Sequence, residues 1–269
     1  MRAIGKAAIL AALFTAAAAT AARADDRKFT YSYEAKTLPQ GSWEFEQWAT
    51  LETRKEAGTW NTLLLREEIE YGISDRLNGS IYLNTTYQGN TGVPGFADDR
   101  SYGFDSMSAE VKYRLTDPGL DPLGVLLYFE PAFATDVYEL EGKLVLSKDL
   151  GPWTFAYNFV CEAELHRAAD PAQSPQWTWE PEIFHTVGVS YGLSTRVALG
   201  VEAYDVARYD LFSRRSTRAD YVGPNVHASV GEWWATLTVL HQVTFGRGYE
   251  VTDPDNTKWQ ARLVIGVSF

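Results

Sequence analysis

KWQARLVIGVSF, Lys258 to Phe269, decides how the rest of the chain is read. Trp259, Ala261, Leu263, Ile265, Val267 and Phe269 share one parity; Gln260, Arg262, Gly266 and Ser268 share the other, with Val264 its one apolar member. A period of two predicts a strand with one apolar and one polar face. The sequence runs out on Phe269, on the apolar face. In an outer-membrane barrel the last strand pairs with the first, which removes the sheet edge. The stretch is therefore expected to close a transmembrane antiparallel up-and-down β-barrel, against the strand that begins at Gly41.

Composition fits that expectation. Aromatic residues make up 14% of 269 residues, with 15 Tyr and 9 Trp, and rings of this kind anchor at membrane–water interfaces. Residues 1–24 read as a signal peptide: Arg2 and Lys6 precede an Ala-rich apolar run, and Ala22-Arg23-Ala24 fits the small-x-small cleavage rule. Beyond it no run approaches the roughly 20 apolar residues of a membrane helix. Loss of Arg2, Lys6 and Arg23 would take the net charge from −11 to −14, which argues against nucleic acid as a partner. Cys161 is the one cysteine, so neither an internal disulfide nor a cysteine-based zinc cluster can form. It shares parity with Phe155, Tyr157 and Phe159, which makes it lipid-facing filler rather than a catalytic thiol.

From Gly41 to Phe269, twelve strands are expected: 41–54, 59–72, 77–89, 104–115, 124–135, 139–149, 152–166, 179–191, 196–208, 219–230, 232–246 and 258–269. In the second, Leu63, Leu65, Ile69 and Tyr71 oppose Thr62, Arg66, Glu68 and Glu70. In the fourth, Met107, Ala109, Val111 and Tyr113 oppose Ser108, Glu110, Lys112 and Arg114. Gly223-Pro224 makes the tenth the weakest pattern. Residues 25–40 form a short lead-in, placed at the periplasmic side or tucked into the barrel mouth.

The connections alternate in length. Ser74-Asp75-Arg76, Asp149-Leu150-Gly151, Ser194-Thr195 and Gly231 make tight turns, and Asp117-Pro118-Gly119 opens a longer one. The other set is longer and polar, as in 89–103, 167–178, 209–218 and 247–257. Short periplasmic turns and long outer loops are the outer-membrane arrangement. Trp43, Tyr71, Tyr113, Trp153, Tyr191, Trp233 and Phe269 are then expected to form a periplasmic aromatic girdle. Trp60, Tyr87, Trp179, Phe245 and Trp259 lie near the other rim.

Gly41-Ser42-Trp43-Glu44-Phe45-Glu46, the paired turns Tyr71-Gly72-Ile73-Ser74 and Tyr191-Gly192-Leu193-Ser194, and the terminal Phe269 resemble outer-membrane barrels labelled transporter-like. These include outer-membrane proteins assigned to phenol-degradation meta-pathways. The resemblance implies a barrel of the Gram-negative outer membrane, inserted by the barrel-assembly machinery through the Phe269 mark. It brings no established substrate and no catalytic residues.

If the apolar parity meets lipid, the other lines the lumen. Arg66, Glu68, Glu110, Lys112, Arg114, Glu130, Glu162, Glu202 and Arg262 are the candidates for a solute path. So many charges need water or mutual pairing. One reading is a wet, charged pore for small solutes, including aromatic or hydrophobic ones, in a monomeric barrel. The other is a structural or surface-interaction barrel whose ions pair across a plugged interior. A third, an outer-membrane hydrolase, rests on His227-Ala228-Ser229, but Val230-Gly231-Glu232 stands where a phospholipase pattern would continue, so the spacing reads as chance. No cofactor is expected. Asp98-Asp99 with Asp105, and Asp253-Pro254-Asp255-Asn256, lack the glycine and distal glutamate of a calcium loop and read as solvated acids, leaving no metal site.

Overall fold

The computed structural model describes residues 26–168, 177–210, 214–243 and 257–269. The expected signal peptide and the Asp253–Asn256 loop lie outside the described residues. Twelve strands run in chain order: β1 Trp43–Thr53, β2 Thr59–Ser74, β3 Leu77–Thr91, β4 Asp99–Thr116, β5 Gly124–Phe133 and β6 Val137–Leu150. They continue as β7 Trp153–Arg167, β8 Trp177–Gly192, β9 Val197–Asp210, β10 Arg214–Val230, β11 Trp233–Gln242 and β12 Trp259–Ser268. Each pairs antiparallel with its sequence neighbours, and β1 pairs with β12 to close the barrel.

The seam runs in register from Glu44↔Ser268 to Thr53↔Trp259. Alternation sends Ile69, Ile81, Leu83, Met107, Val111, Leu127, Phe129, Val187, Val201 and Ile265 outward, where all are exposed. Glutamates of the other parity are buried inside: Glu44, Glu46, Glu68, Glu70, Glu110 and Glu202. Soluble proteins rarely expose an apolar band of this extent; a lipid-facing barrel requires it. Gly151 and Gly231, at φ of 58° and 64°, make the tight turns after β6 and β10.

Several strands outrun their sequence pattern. The loop expected at 89–103 shrinks to 92–98, because Thr59↔Thr91 and Asn90↔Asp99 continue the ladders. Those extensions are mostly polar, and the register shift between Asn84 and Thr85 breaks the alternation before Tyr102, so no single period marks them. The tenth strand is unbroken: Tyr221↔Gln242 and Asn225↔Thr238 keep one register on either side of Pro224. Gly223 permits this, since a Cβ there would lie 1.8 Å from the Val239 carbonyl oxygen.

Trp43, Tyr71, Tyr113, Trp153, Tyr191, Trp233 and Phe269 all gather at the tight-turn rim. Trp43 packs on Tyr71 with ring centres 4.5 Å apart, and Trp153 on Tyr191 at 4.8 Å. At the opposite rim Trp179 and Trp259 are exposed, but Trp60 is not part of a girdle. It has the inward parity and is buried against Phe96, with the Lys55 ammonium 4.9 Å from its ring.

Candidate functional site

The lumen is occupied by the chain itself. Residues 27–38 lie inside the barrel, with Phe29, Thr30, Ala35 and Leu38 fully buried. The segment is U-shaped. Asp26 and Lys36 border the tight-turn rim, where Gln40 N–H donates to Asp75 and Thr37 to the Asp75 carbonyl. The bend at Tyr31 to Tyr33 reaches the interior. Glu34 clips the two limbs together, accepting from Lys28 N–H at 2.9 Å and pairing with Lys36 at 2.6 Å.

This segment forms no strand, so its buried backbone groups need other partners. Wall side chains supply them. The Glu202 carboxylate accepts the N–H groups of Thr30, Tyr31 and Ser32 at 2.8 to 3.0 Å. Asn158 takes Tyr33 N–H at 2.6 Å and returns a bond to its carbonyl at 3.0 Å. Ser147 accepts Ala35 N–H, Asn225 donates to Lys28 O, and Arg262 to Thr30 O. His227 and Thr236 both face the Arg27 carbonyl. His227 Nδ1 is thus turned to the inserted segment and Thr236.

Packing reinforces these bonds. The Arg27 guanidinium lies between the rings of Tyr33 and Trp48, 4.0 and 4.4 Å from their centres, and 3.6 Å from Glu46. Tyr31 stacks on Tyr204, which stacks on Tyr221, and the Arg262 guanidinium covers the free face of Tyr31 at 4.1 Å. Tyr33 and Ala35 share an apolar cluster with Trp48, Leu126, Tyr128, Val145, Trp234 and Val264. Val264, the inward exception in KWQARLVIGVSF, is fully buried there.

The segment stands between two spaces. Toward the long loops lies a vestibule of about 410 Å³, reached by Tyr31 and Tyr33 from below and walled by Arg66, Glu130, Glu139, Glu141, Lys143, Glu162, Glu164, Phe184, Arg208 and Arg262. Toward the tight turns lies a groove of about 580 Å³ bordered by Asp26, Lys28, Lys36, Arg196 and His227. Four of the sequence candidates, Arg66, Glu130, Glu162 and Arg262, line the vestibule. Glu68, Glu110 and Lys112 are packed in the tight-turn half, where Lys112 pairs with Glu70 at 2.8 Å and Glu110 at 3.4 Å. Glu202 is committed to the inserted backbone. Arg114 caps the rim, bonding Asp117 and the Asp75 carbonyl. Among the described residues, two groups could hold a metal ion: Glu164, His166 and Glu180, and Glu139, Glu162 and Glu164. Asp98, Asp99 and Asp105 form no such group; each accepts a local bond, from Gly92, Ser101 and Ser106.

A family model matches residues 21–269. The chain belongs to DUF6662, a family of unknown function. No curated protein matches this member of DUF6662. Its fold is similar to the crystal structure of the COG4313 outer membrane channel from Pseudomonas putida F1, with a TM-score of 0.59 at 14% identity over 90% of this chain and 100% of that one. The NanC porin gives 0.54 at 11% identity, over 83% and 98% of the two chains. The translocator domain of the autotransporter NalP from Neisseria meningitidis gives 0.53 at 9%, over 84% and 87%. At such identities the likeness is one of fold. Nothing in these matches ties the DUF6662 chain to phenol degradation.

Proposed function

We propose that this DUF6662 protein is an outer-membrane channel for small solutes, closed at rest by residues 27–38. The orientation follows the barrel pattern: tight turns and both termini in the periplasm, long loops outside, a cleaved leader at residues 1–24, and a monomer in lipid inserted by the barrel-assembly machinery. Solute enters the vestibule from the loop side and meets Tyr31 and Tyr33.

One observation carries the reading. The inserted segment enters and leaves by the same rim, and among the described residues its 27–38 backbone is bonded to wall side chains rather than to strand backbones. It can therefore withdraw without breaking the ladder or threading a free end through the barrel. Water would take over its side-chain partners, as it does in polar pore linings. Two of the structures similar in fold are described as an outer membrane channel and a porin, which supports the same reading.

The test is conductance in planar bilayers for the intact protein and for a variant lacking residues 27–38. The intact barrel is expected to be mostly closed, with rare openings; the shortened one should be open. A shortened barrel that is folded, shown by a heat-dependent gel shift, yet never conducts would refute the channel and favour a permanently filled structural barrel.

A further inference from the structure

We infer that the vestibule binds organic ammonium cations that carry an apolar or aryl group. This names the solute class of the proposed channel and rests on the vestibule being its way in. The antiparallel register lays the wall out in rungs. Glu130, Glu141, Glu162 and Glu182 stand side by side on β5, β6, β7 and β8, and Arg208 follows on β9. One rung nearer the long loops, Glu139, Glu164 and Glu180 repeat the row. One rung nearer the inserted segment, Val160, Phe184 and Val206 sit side by side. Apart from Glu180, the residues of all three rungs border the same cavity.

Like charges directly opposite across strands destabilise a sheet unless something neutralises them. Part of the row is neutralised: Arg66 pairs with Glu130, Lys143 with Glu141 at 2.6 Å, and Arg208 with Glu182. Glu162, in the middle, is flanked by glutamates on both sides. One of its oxygens lies within 4.8 Å of an oxygen of Glu139 and of one of Glu164. Among the described residues, Glu164 pairs with His166 at 2.7 Å. The three carboxyl groups thus converge on a cavity that has an apolar shelf directly beneath. A bare metal ion would use the oxygens and ignore the shelf. A primary ammonium on an aryl or alkyl body uses both: three N–H donors for the carboxylates and contact with Val160, Phe184 and Val206.

The full-length protein, purified in a non-ionic detergent, is titrated calorimetrically with three probes of one shape: 2-phenylethylamine, 2-phenylethanol and phenylacetate. The amine should bind roughly tenfold or more tightly than the alcohol, and phenylacetate should not bind. This comparison needs only the wild type. E139Q/E162Q should bring the amine to the level of the alcohol, and Phe184→Ala should weaken 2-phenylethylamine while leaving methylamine unchanged, with folding checked by the heat-dependent gel shift. Equal binding of amine and alcohol, or tighter binding of phenylacetate, overturns the inference. So does Zn²⁺ or Ca²⁺ added alone binding at a site from which the amine cannot displace it. Binding is read without conduction, so the two proposals fail separately. A barrel that holds the amine but never opens sinks the channel alone, and one that opens after loss of 27–38 yet prefers the anion sinks the solute class alone.

Discussion

The Glu202 carboxylate accepts the Ser32 backbone N–H at 2.8 Å, tying the middle of β9 to the bend of the inserted segment. The same side chain takes the two preceding N–H groups and a bond from Thr238. A buried hydrogen bond to a charged group stabilises by about 1.5–3 kcal/mol. Glu202→Ala should therefore raise the open population at least about tenfold while the strand ladder persists. Open probability in bilayers and protease cleavage within residues 27–38 should rise together. Cleavage without added conductance would show that the segment is not the gate.

A second lever is steric. A Cβ on Gly188 would lie 2.7 Å from the Phe29 ring. Gly188→Leu leaves the β8 backbone its ladder bonds but denies Phe29 its seat, at a cost of about 1–3 kcal/mol from overpacking. The variant should be folded, more conductive and more readily cleaved near Phe29. If it is as quiet as the wild type, Phe29 does not hold the segment in place.

The strands and their closure were legible because lipid on one side and lumen on the other impose a period of two over most of the chain. Residues 27–38 follow no period, since their backbone is satisfied by Glu202, Asn158 and Ser147 from three different strands. A signal of the filled lumen was nevertheless present. Trp48, Leu126, Val145, Trp234 and Val264 are apolar on the inward parity, which a wet pore has no use for, and all of them pack around Tyr33 and Ala35. Trp60 shows the converse: it lies near a rim, as its place in the sequence suggests, but its parity points inward and it is buried. The carboxylate rungs needed register, because Glu139, Glu164 and Glu180 become neighbours only when β6, β7 and β8 are aligned.

The seam makes its own prediction. Phe269 N–H donates to the Trp43 carbonyl at 2.9 Å, and Trp43 N–H donates to Phe269 O at 3.0 Å. Removing Phe269 takes away both bonds at the end of the β1–β12 pair along with an outward ring. Stability should fall by about 1–3 kcal/mol, read as a lower temperature for the gel-mobility shift. Trp43→Ala keeps both backbone bonds and should lower it less. Equal losses would assign the effect to the rings rather than to the closing bonds.

The last prediction concerns acid. Asp26 Oδ2 lies 3.6 Å from His227 Nε2 at the rim where the segment enters. Burial pushes the Asp26 carboxyl up, but the neighbouring His227 imidazole and the Lys36 charge outweigh it and hold the group below its usual 3.8. A carboxyl lowered in the folded state contributes stability that is present above its free value and is lost as pH falls through the lowered one. The contact should therefore hold the entering limb while Asp26 is ionised and release it below about pH 4. Protease cleavage within residues 27–38 and bilayer conductance, followed from about pH 6 down to about pH 3, should rise steeply at the acid end. Asp26→Asn should remove that step and leave a small, pH-independent increase in opening. If Asp26→Asn keeps the same acid step as the wild type, the release is set by the carboxylates of the barrel wall and not by this pair.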